Sequence, residues 1–367
     1  IVIGTRMAVF APFKKLGLIV VDEEQDISHK QWDMNPRYDA RTAAEMLSEI
    51  HGSPLVYVSA TPRIETYYKT KIRTYDLLKL SRLSIPNTKY QTPDTNIELV
   101  DMRKERWKDF SGKRTPNYSC ISHTLENGIM SALSQKQQVI LFVNHQGMNS
   151  FSVCAECKEV LRCPKCQRTL IYDSSGVYRC LHCNYVSDAF PICTKCKSTV
   201  FRNVGIGTQA VEKEMRRRFP SIRVARADTQ SMKKSGAQKE LFEKFSKGEI
   251  DILIGTQMIT KGWDNPKVSV VGIIDADALL TIPDFATDER AFAHIMQAIG
   301  RAGRPGSVWG RAYIQTFDPL NPLFIAAEHG SYEEFYEMEI QRRQDLKLPP
   351  FGKYIRLVFQ NSNPAIL

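Results

Sequence analysis

No run of about 18 apolar residues occurs anywhere in the 367-residue sequence, which leaves no candidate helical membrane span. No secretory leader pattern is visible. An initiating Met is also missing. The chain starts in an apolar run, Ile1-Val2-Ile3, and reads as a piece cut from within a domain. The sequence contains no G-x-x-x-x-G-K-[ST] phosphate loop. Ser111-Gly112-Lys113-Arg114 is superficially similar, but it lacks the spacing and follows no expected strand.

Cysteine is almost confined to one stretch. Eight of the nine cysteines fall in residues 154–196 as Cys154/Cys157, Cys163/Cys166, Cys180/Cys183 and Cys193/Cys196. Two thiolates three positions apart can share a metal ion, and two such pairs complete a closed tetrahedral Cys₄ site. Two structural zinc ions are therefore expected. The alternative of a disulfide framework fits repeated C-x-x-C spacing less well. The pairs can combine sequentially, interleaved or nested. Thirteen residues separate Cys166 from Cys180, enough for a ribbon hairpin with arms at Leu170–Tyr172 and Val177–Arg179. That arrangement would leave Cys154/Cys157 to join Cys193/Cys196, with a cross-braced pairing as the alternative. Cys120 has no partner spacing and is expected to be a plain core or surface thiol. Metal-bound cysteines without a leader point to a reducing cytoplasm.

Hydrophobic content of 43% and charged content of 25% are ordinary for a globular protein, and the length allows two to three domains. The formal net charge is +10. Eight thiolates and two zinc ions would lower it by about four. The remaining basic balance favours an anionic partner, nucleic acid first.

The pattern along the chain is α/β. Leu16–Val21 is a continuous apolar run of the kind parallel sheets bury, and it ends in Asp22-Glu23-Glu24-Gln25. Carboxylates at the carboxyl end of such a strand face the crevice where α/β folds bind ligands. One can hold Mg²⁺ while its neighbour polarises water. An acidic helix start is the other reading of these residues. Residues 26–41 interleave Trp32 and Tyr38 with Lys30, Arg37 and Arg41, which suits base stacking beside phosphates or a loop with packing anchors. Leu55–Val58 runs into Ser59-Ala60-Thr61-Pro62. Residues 68–118 are poorly periodic and read as an edge strand and a linker. A second α/β unit opens with a helix near 119–134 and the strand Val139–Val143. It is interrupted by the cysteines and resumes at Val204-Gly-Ile-Gly-Thr208. Strands follow at Asp251–Thr256, Val268–Ile274 and Arg311–Gln315. A helix over 286–299 ends in Gly300-Arg301-Ala302-Gly303-Arg304, which by itself could be a basic helix end.

The order of these segments carries more than any one of them. Gly4-Thr-Arg6, Asp22–Gln25, Ser59–Pro62, Thr256–Pro266 and Gln297–Arg304 resemble motifs Ib, II, III, V and VI of superfamily 2 helicases. The eight-cysteine insertion, Thr256-Gln-Met-Ile-Thr-Lys-Gly262, Ile282-Pro-Asp-Phe285 and Leu348-Pro-Pro-Phe351 resemble, more narrowly, the bacterial replication-restart helicases. The resemblance implies two RecA-like lobes with a small two-zinc module inserted in the second, and ATP with Mg²⁺ between them. Asp22 and Glu23 would act on metal and water, and Gln297, Arg301 and Arg304 on the γ-phosphate. Gln25, Thr61, Gly262 and Asp264 would contact nucleotide, and Gly4, Arg6, Trp32, Tyr38, Thr256, Gln257 and Lys261 would contact DNA. It also implies nested zinc pairing, forked DNA as substrate, 3′→5′ polarity, and single-stranded DNA-binding and other primosome proteins as partners. The expected division is lobe 1 over 1–100, a linker over 101–118 and lobe 2 over 119–150 and 201–325. The zinc module would occupy 151–200, and a C-terminal domain would begin at 326. A non-catalytic zinc-containing DNA-binding or scaffold protein is the alternative.

Two positions depart from the family pattern. Gln25 stands where His is usual, and His29 where Tyr is common. Without a phosphate loop, the isolated polypeptide is expected to hydrolyse ATP very poorly.

Overall fold

The computed structural model describes residues 1–32, 34–80, 95–108, 114–116, 119–144, 151–172, 176–187, 191–228, 231–232, 236–259, 265–282, 284–303 and 309–355. They fall into two compact units. One holds residues 1–78 with the segment from Tyr336 onward, and the other holds residues 79–335.

In the first unit, β1 (Ile19–Asp22) and β2 (Leu55–Val58) pair in parallel, from Ile19 opposite Leu55 to Asp22 opposite Val58. The intervening α1 (Ala40–His51) starts at Asp39, whose carboxylate accepts the Arg41 N–H, and stops at Gly52. Gly52 has φ 61°, a conformation open to glycine at little cost. After β2 comes α2 (Ile64–Lys71).

The second unit opens with β3 (Thr95–Asp101), the short hairpin β4 (Arg106–Lys108) and β5 (Arg114–Pro116), α3 (His123–Ser134) and β6 (Gln138–Phe142). Next comes a small antiparallel sheet of β7 (Phe151–Cys154), β8 (Ile171–Tyr172), β9 (Tyr178–Arg179) and β10 (Phe201–Val204), in the order β10-β7-β8-β9. The α/β alternation then resumes with α4 (Thr208–Arg218), β11 (Val224–Ala227), α5 (Ala237–Lys247), β12 (Ile252–Gly255) and β13 (Val268–Ile273). It closes with α6 (Thr287–Ile299), β14 (Gly310–Thr316) and α7 (Pro322–Glu328), and α8 (Tyr332–Asp345) begins in this unit but belongs from Tyr336 onward to the first. The main sheet has six parallel strands in the order β11-β12-β6-β13-β14-β3.

β6, β12 and β13 are buried along their whole lengths, as the unbroken apolar runs require. Val139, Leu141 and Val143 alternate onto the face covered by Leu125 and Ile129 of α3 and Val211 and Met215 of α4. α6 packs on β13 with Phe292 and Ile295 fully buried. Gly128 in α3 lets the helix approach Tyr313 of β14, where an added Cβ would lie 2.5 Å from the ring edge. Gly128→Ala is therefore expected to destabilise the chain by ~1–3 kcal/mol through overpacking, despite alanine's better helix propensity. A denaturant midpoint unchanged or raised in this variant would contradict that packing.

Two boundaries differ from the expected ones. β3 is not part of the first lobe, because it extends the second unit's sheet in parallel register with β14. The first unit accordingly ends near residue 78 rather than 100. The segment after Tyr336 belongs with the first unit. Tyr336 packs edge-on against Tyr67 at 4.6 Å, and fully buried Arg343 reaches Glu339 at 2.8 Å and Glu65 at 3.4 Å. Polarity conceals such a packed segment from a hydrophobicity reading. The cysteine module interrupts the second unit as expected, and its sheet runs on to Val204.

Candidate functional site

Four short loops build the cysteine module in one repeated way. In three of them the first cysteine's carbonyl accepts the N–H of the residue after the second cysteine: Lys158 to Cys154 at 2.9 Å, Gln167 to Cys163 at 2.9 Å and Lys197 to Cys193 at 3.0 Å. All four following residues, Lys158, Gln167, Asn184 and Lys197, have φ between 57° and 65°. This left-handed turn reverses the chain and points the two sulfurs of each pair the same way.

The sulfurs gather into two groups, Cys154, Cys157, Cys193 and Cys196, and Cys163, Cys166, Cys180 and Cys183. Within each group all ligand atoms lie within 4.8 Å of one another. Sulfur–sulfur separations of 3.4–3.5 Å, as for Cys154–Cys196 and Cys166–Cys180, are far longer than a disulfide bond. The nested pairing is the observed one. The ribbon arms β8 and β9 pair at Tyr172 and Tyr178, and four thiolates around one point suit a tetrahedral zinc ion. Burial opposes ionisation of Cys183 and Cys193, but backbone N–H groups and neighbouring thiols hold both down at about 7. Burial pushes Cys157 up to about 12. A cation at the centre would favour the thiolate at every position. The ninth cysteine, Cys120, packs beside the core, and burial pushes its thiol up to about 12.

In the first unit, Asp22 is exposed at the carboxyl end of β1 and accepts the Glu23 N–H at 3.0 Å. Glu23 sits at φ 47°, so the chain turns sharply there. Gln25 Nε2 donates to Glu23 Oε2, and Ser59 Oγ donates to Gln25 Oε1. Ser59 Oγ in turn accepts the Thr61 N–H at 2.9 Å. An unbroken relay thus joins Glu23 to the segment after β2. Glu24 points the other way, 1% exposed, and accepts the N–H of Arg63. Burial raises its pKa against these hydrogen bonds. Glu24 is therefore a structural member of the acidic tetrad. The Thr61 hydroxyl is buried without a hydrogen-bond partner among the described residues.

Gly4 and Arg6 lead a short 3-10 turn, Arg6–Phe10, that is drawn onto the 26–41 loop. Arg6 donates to the Ser28 carbonyl at 3.2 Å, and the Tyr38 hydroxyl reaches Met7 Sδ at 3.1 Å. Tyr38 also packs edge-on against Phe10 at 4.8 Å, so it anchors the loop. Trp32 stays 45% exposed, with the Lys30 ammonium 4.3 Å from its ring centre. His29 Nε2 lies 3.1 Å from the Asp22 carbonyl.

In the second unit, Thr256 and Gln257 follow β12, and Gln257 Nε2 lies 2.9 Å from His294 Nε2 on α6. Arg301 Nε donates weakly to the Gln297 carbonyl at 3.4 Å. Lys261, Gly262, Asp264 and Arg304 lie outside the described residues.

Sequence reading left three features unassigned. His294 is one, since only the fold carries it to Gln257. The others are Asp275 and Asp277 just beyond β13, both fully enclosed. Asp277 accepts from Thr316 Oγ1 at 2.9 Å and from the Phe317 N–H at 2.8 Å. Neither Asp275 oxygen has a hydrogen bond of normal geometry among the described residues, although the Ala278 and Ile206 N–H groups face it. Burial, with the neighbouring Asp277 charge, pushes Asp275 up to about 8, and burial pushes Asp277 up to about 7. Both folded values exceed the unfolded one. The stability they contribute is complete below pH ~4 and is lost as pH rises through 7 to 8. Asp275→Asn is expected to flatten this loss, gaining roughly 1–3 kcal/mol at pH 8 relative to pH 5. Denaturant midpoints of both proteins across that range provide the measurement, and parallel pH curves would refute it.

Residues 194–306 match the helicase conserved C-terminal domain family. Over nearly the whole chain the sequence is similar to curated proteins named Replication restart protein PriA. It is 36% identical to that of Synechocystis sp. over 97% of this chain and 42% of that protein. It is 37% identical to the Bacillus subtilis protein over 98% and 43%, and 36% identical to the Treponema pallidum protein over 98% and 52%. The chain therefore spans about half the length of the curated relatives it matches. Among solved structures, yeast Dbp5 bound to RNA and ADP BeF3 aligns over 90% of this chain and 64% of its own, at 14% identity and a TM-score of 0.41. Mycobacterium smegmatis helicase Lhr bound to ssDNA and AMP-PNP aligns over 89% and 32%, at 12% identity and a TM-score of 0.42.

Proposed function

We propose, for a chain that belongs to the PriA family of superfamily 2 helicases, that the whole protein is an ATP-driven DNA helicase. It would move 3′→5′, open forked DNA and restart replication by primosome assembly. The observation that supports this reading most is the relay Glu23–Gln25–Ser59–Thr61 at the carboxyl ends of β1 and β2.

The residues suit their proposed parts. Asp22 is exposed and has carboxylate oxygens available to bind a hydrated Mg²⁺ ion. Glu23 can orient and polarise water, and its carboxylate is held by Gln25. Gln25 cannot exchange a proton, so it would couple nucleotide state to the segment after β2 by orientation alone. Thr61, with Gly262 and Asp264, completes the proposed nucleotide contacts. Gln297, Arg301 and Arg304 would meet the γ-phosphate, where a planar guanidinium stabilises spreading charge. Trp32 offers a face for a base, while Gly4, Arg6, Thr256, Gln257 and Lys261 would follow the backbone. Tyr38 is proposed as the anchor of this surface, since its ring and hydroxyl are engaged by Phe10 and Met7. The two Cys₄ groups would hold structural zinc, and single-stranded DNA-binding and other primosome proteins are the proposed partners.

The test is unwinding by the full-length protein of duplexes with a 3′ or a 5′ tail and of model forks, with ATP hydrolysis followed in parallel. DNA-stimulated hydrolysis and opening of 3′-tailed and forked substrates are expected. Binding without hydrolysis would instead favour a scaffold.

A further inference from the structure

The inner zinc ribbon is fastened to the helix that carries Gln297 and leads into Arg301. Arg168, two residues beyond Cys166, grips Asp288 in the first turn of α6 through two parallel contacts. Nη1 lies 2.6 Å from Oδ1 and Nη2 lies 2.8 Å from Oδ2, with the side chains only 19% and 13% exposed. Such a two-pronged contact fixes orientation as well as distance, and partial burial limits its screening. Asp288 also lies where the helix dipole favours a negative charge. Around the fork, Thr169, Leu181 and His182 of the ribbon share a cleft with Leu280, Thr281 and Ile282 of the loop leading into α6.

The module has further ties to the carboxyl edge of the main sheet. Arg162 pairs with Asp318 just after β14, and Phe151 packs against Phe317. Lys158, only 3% exposed, donates to the Met102 and Glu105 carbonyls after β3. α6 then crosses the sheet. Just past its far end, Ala302 accepts a hydrogen bond from Thr95 Oγ1 at the start of β3, and Gly303 lies against Gly310 at the start of β14. Thirteen helical residues span about 20 Å, so α6 is a stiff strut with the zinc ribbon at one end and Arg301 at the other.

We propose that the Arg168–Asp288 fork locks the inner zinc ribbon to α6, making both residues positioning residues that convert ATP hydrolysis into strand separation. This rests on the helicase reading above. A displacement felt at Arg301 would be carried along α6 and delivered to the ribbon. Without the fork, hydrolysis would continue while the ribbon followed α6 poorly.

The experiment uses the full-length protein with Arg168→Ala, Asp288→Asn, Arg168→Lys and the exchanged pair R168D/D288R. With both zinc ions retained, each single loss is expected to keep hydrolysis near wild type. Unwinding per ATP should fall roughly tenfold, within the usual range of intersite coupling. Arg168→Lys keeps the charge but loses the fork and should be intermediate, and the exchanged pair should regain much of the loss. Unwinding and hydrolysis falling in step, or neither changing, would overturn the proposal. Amide exchange supplies an arm independent of activity: Arg168→Ala should loosen Ile171–Tyr172 and the first turn of α6 together. Unchanged protection there would refute the lock, whereas a wild-type protein that neither hydrolyses nor unwinds would refute only the helicase reading.

Discussion

Cys180→Ser is expected to lower the zinc content from two ions per chain to one and to unfold the inner ribbon while the six-stranded sheet remains folded. Cys180 is fully buried in a small cluster with Leu161, Cys163 and Leu170. That cluster and the two-residue arms β8 and β9 are too small to supply a self-sufficient core. Structural zinc contributes apparent free energies of ~10–16 kcal/mol near neutral pH, so the metal supplies what the apolar side chains cannot. Cys193→Ser should remove the other ion. Metal analysis of each purified variant, with amide exchange read at Ile171–Tyr172 and at Phe201–Val204, separates the two sites. A wild-type protein carrying a single zinc, or a serine variant keeping both, would contradict two independent Cys₄ groups. Chelation should reproduce both losses, and it should be easier below pH ~6, where protons compete for the thiolates.

In the full-length protein, Asp22→Ala and Arg301→Ala should each reduce DNA-stimulated ATP hydrolysis about a thousandfold or more, the scale on which phosphoryl-transfer enzymes depend on charge-stabilising groups. Asp22 is exposed at its strand end, so its replacement should cost little stability. Glu24→Ala should behave differently. Its carboxylate accepts Arg63 N–H and Thr66 Oγ1 from a buried position, so its loss should lower stability first. Steady-state hydrolysis beside thermal unfolding distinguishes the two kinds of loss. Unwinding that survives both Asp22→Ala and Arg301→Ala would remove these residues from the proposed chemistry.

The sequence was most readable where one physical constraint dominates. Continuous apolar runs announced β6, β12 and β13, because a strand buried on both faces has no polar positions to alternate with. The spacing of the cysteine pairs announced the metal groups, because thiolate geometry around one ion is nearly fixed. It was least readable where polar segments find partners far away. β3 read as an edge strand of the first lobe, and only its pairing with β14 makes it an edge strand of the second unit. α8 carries charge on most of its surface, so nothing local marks Glu339 and Arg343 as buried. Asp275 and Asp277 likewise read as ordinary acids after a strand, though both are enclosed.

By itself, the sequence determined the parallel α/β class, the place of the inserted module and its eight candidate metal ligands. Each follows from local periodicity or from ligand spacing over a few residues. Tertiary structure decided the nested grouping of the four cysteine pairs, the division of the acidic tetrad into Asp22 and Glu23 outside and Glu24 inside, and the grip of Arg168 on Asp288. These depend on which residues meet across gaps of up to 120 positions. Hydrogen bonds and ion pairs are directional and short, so they appear only when packing has fixed the distances.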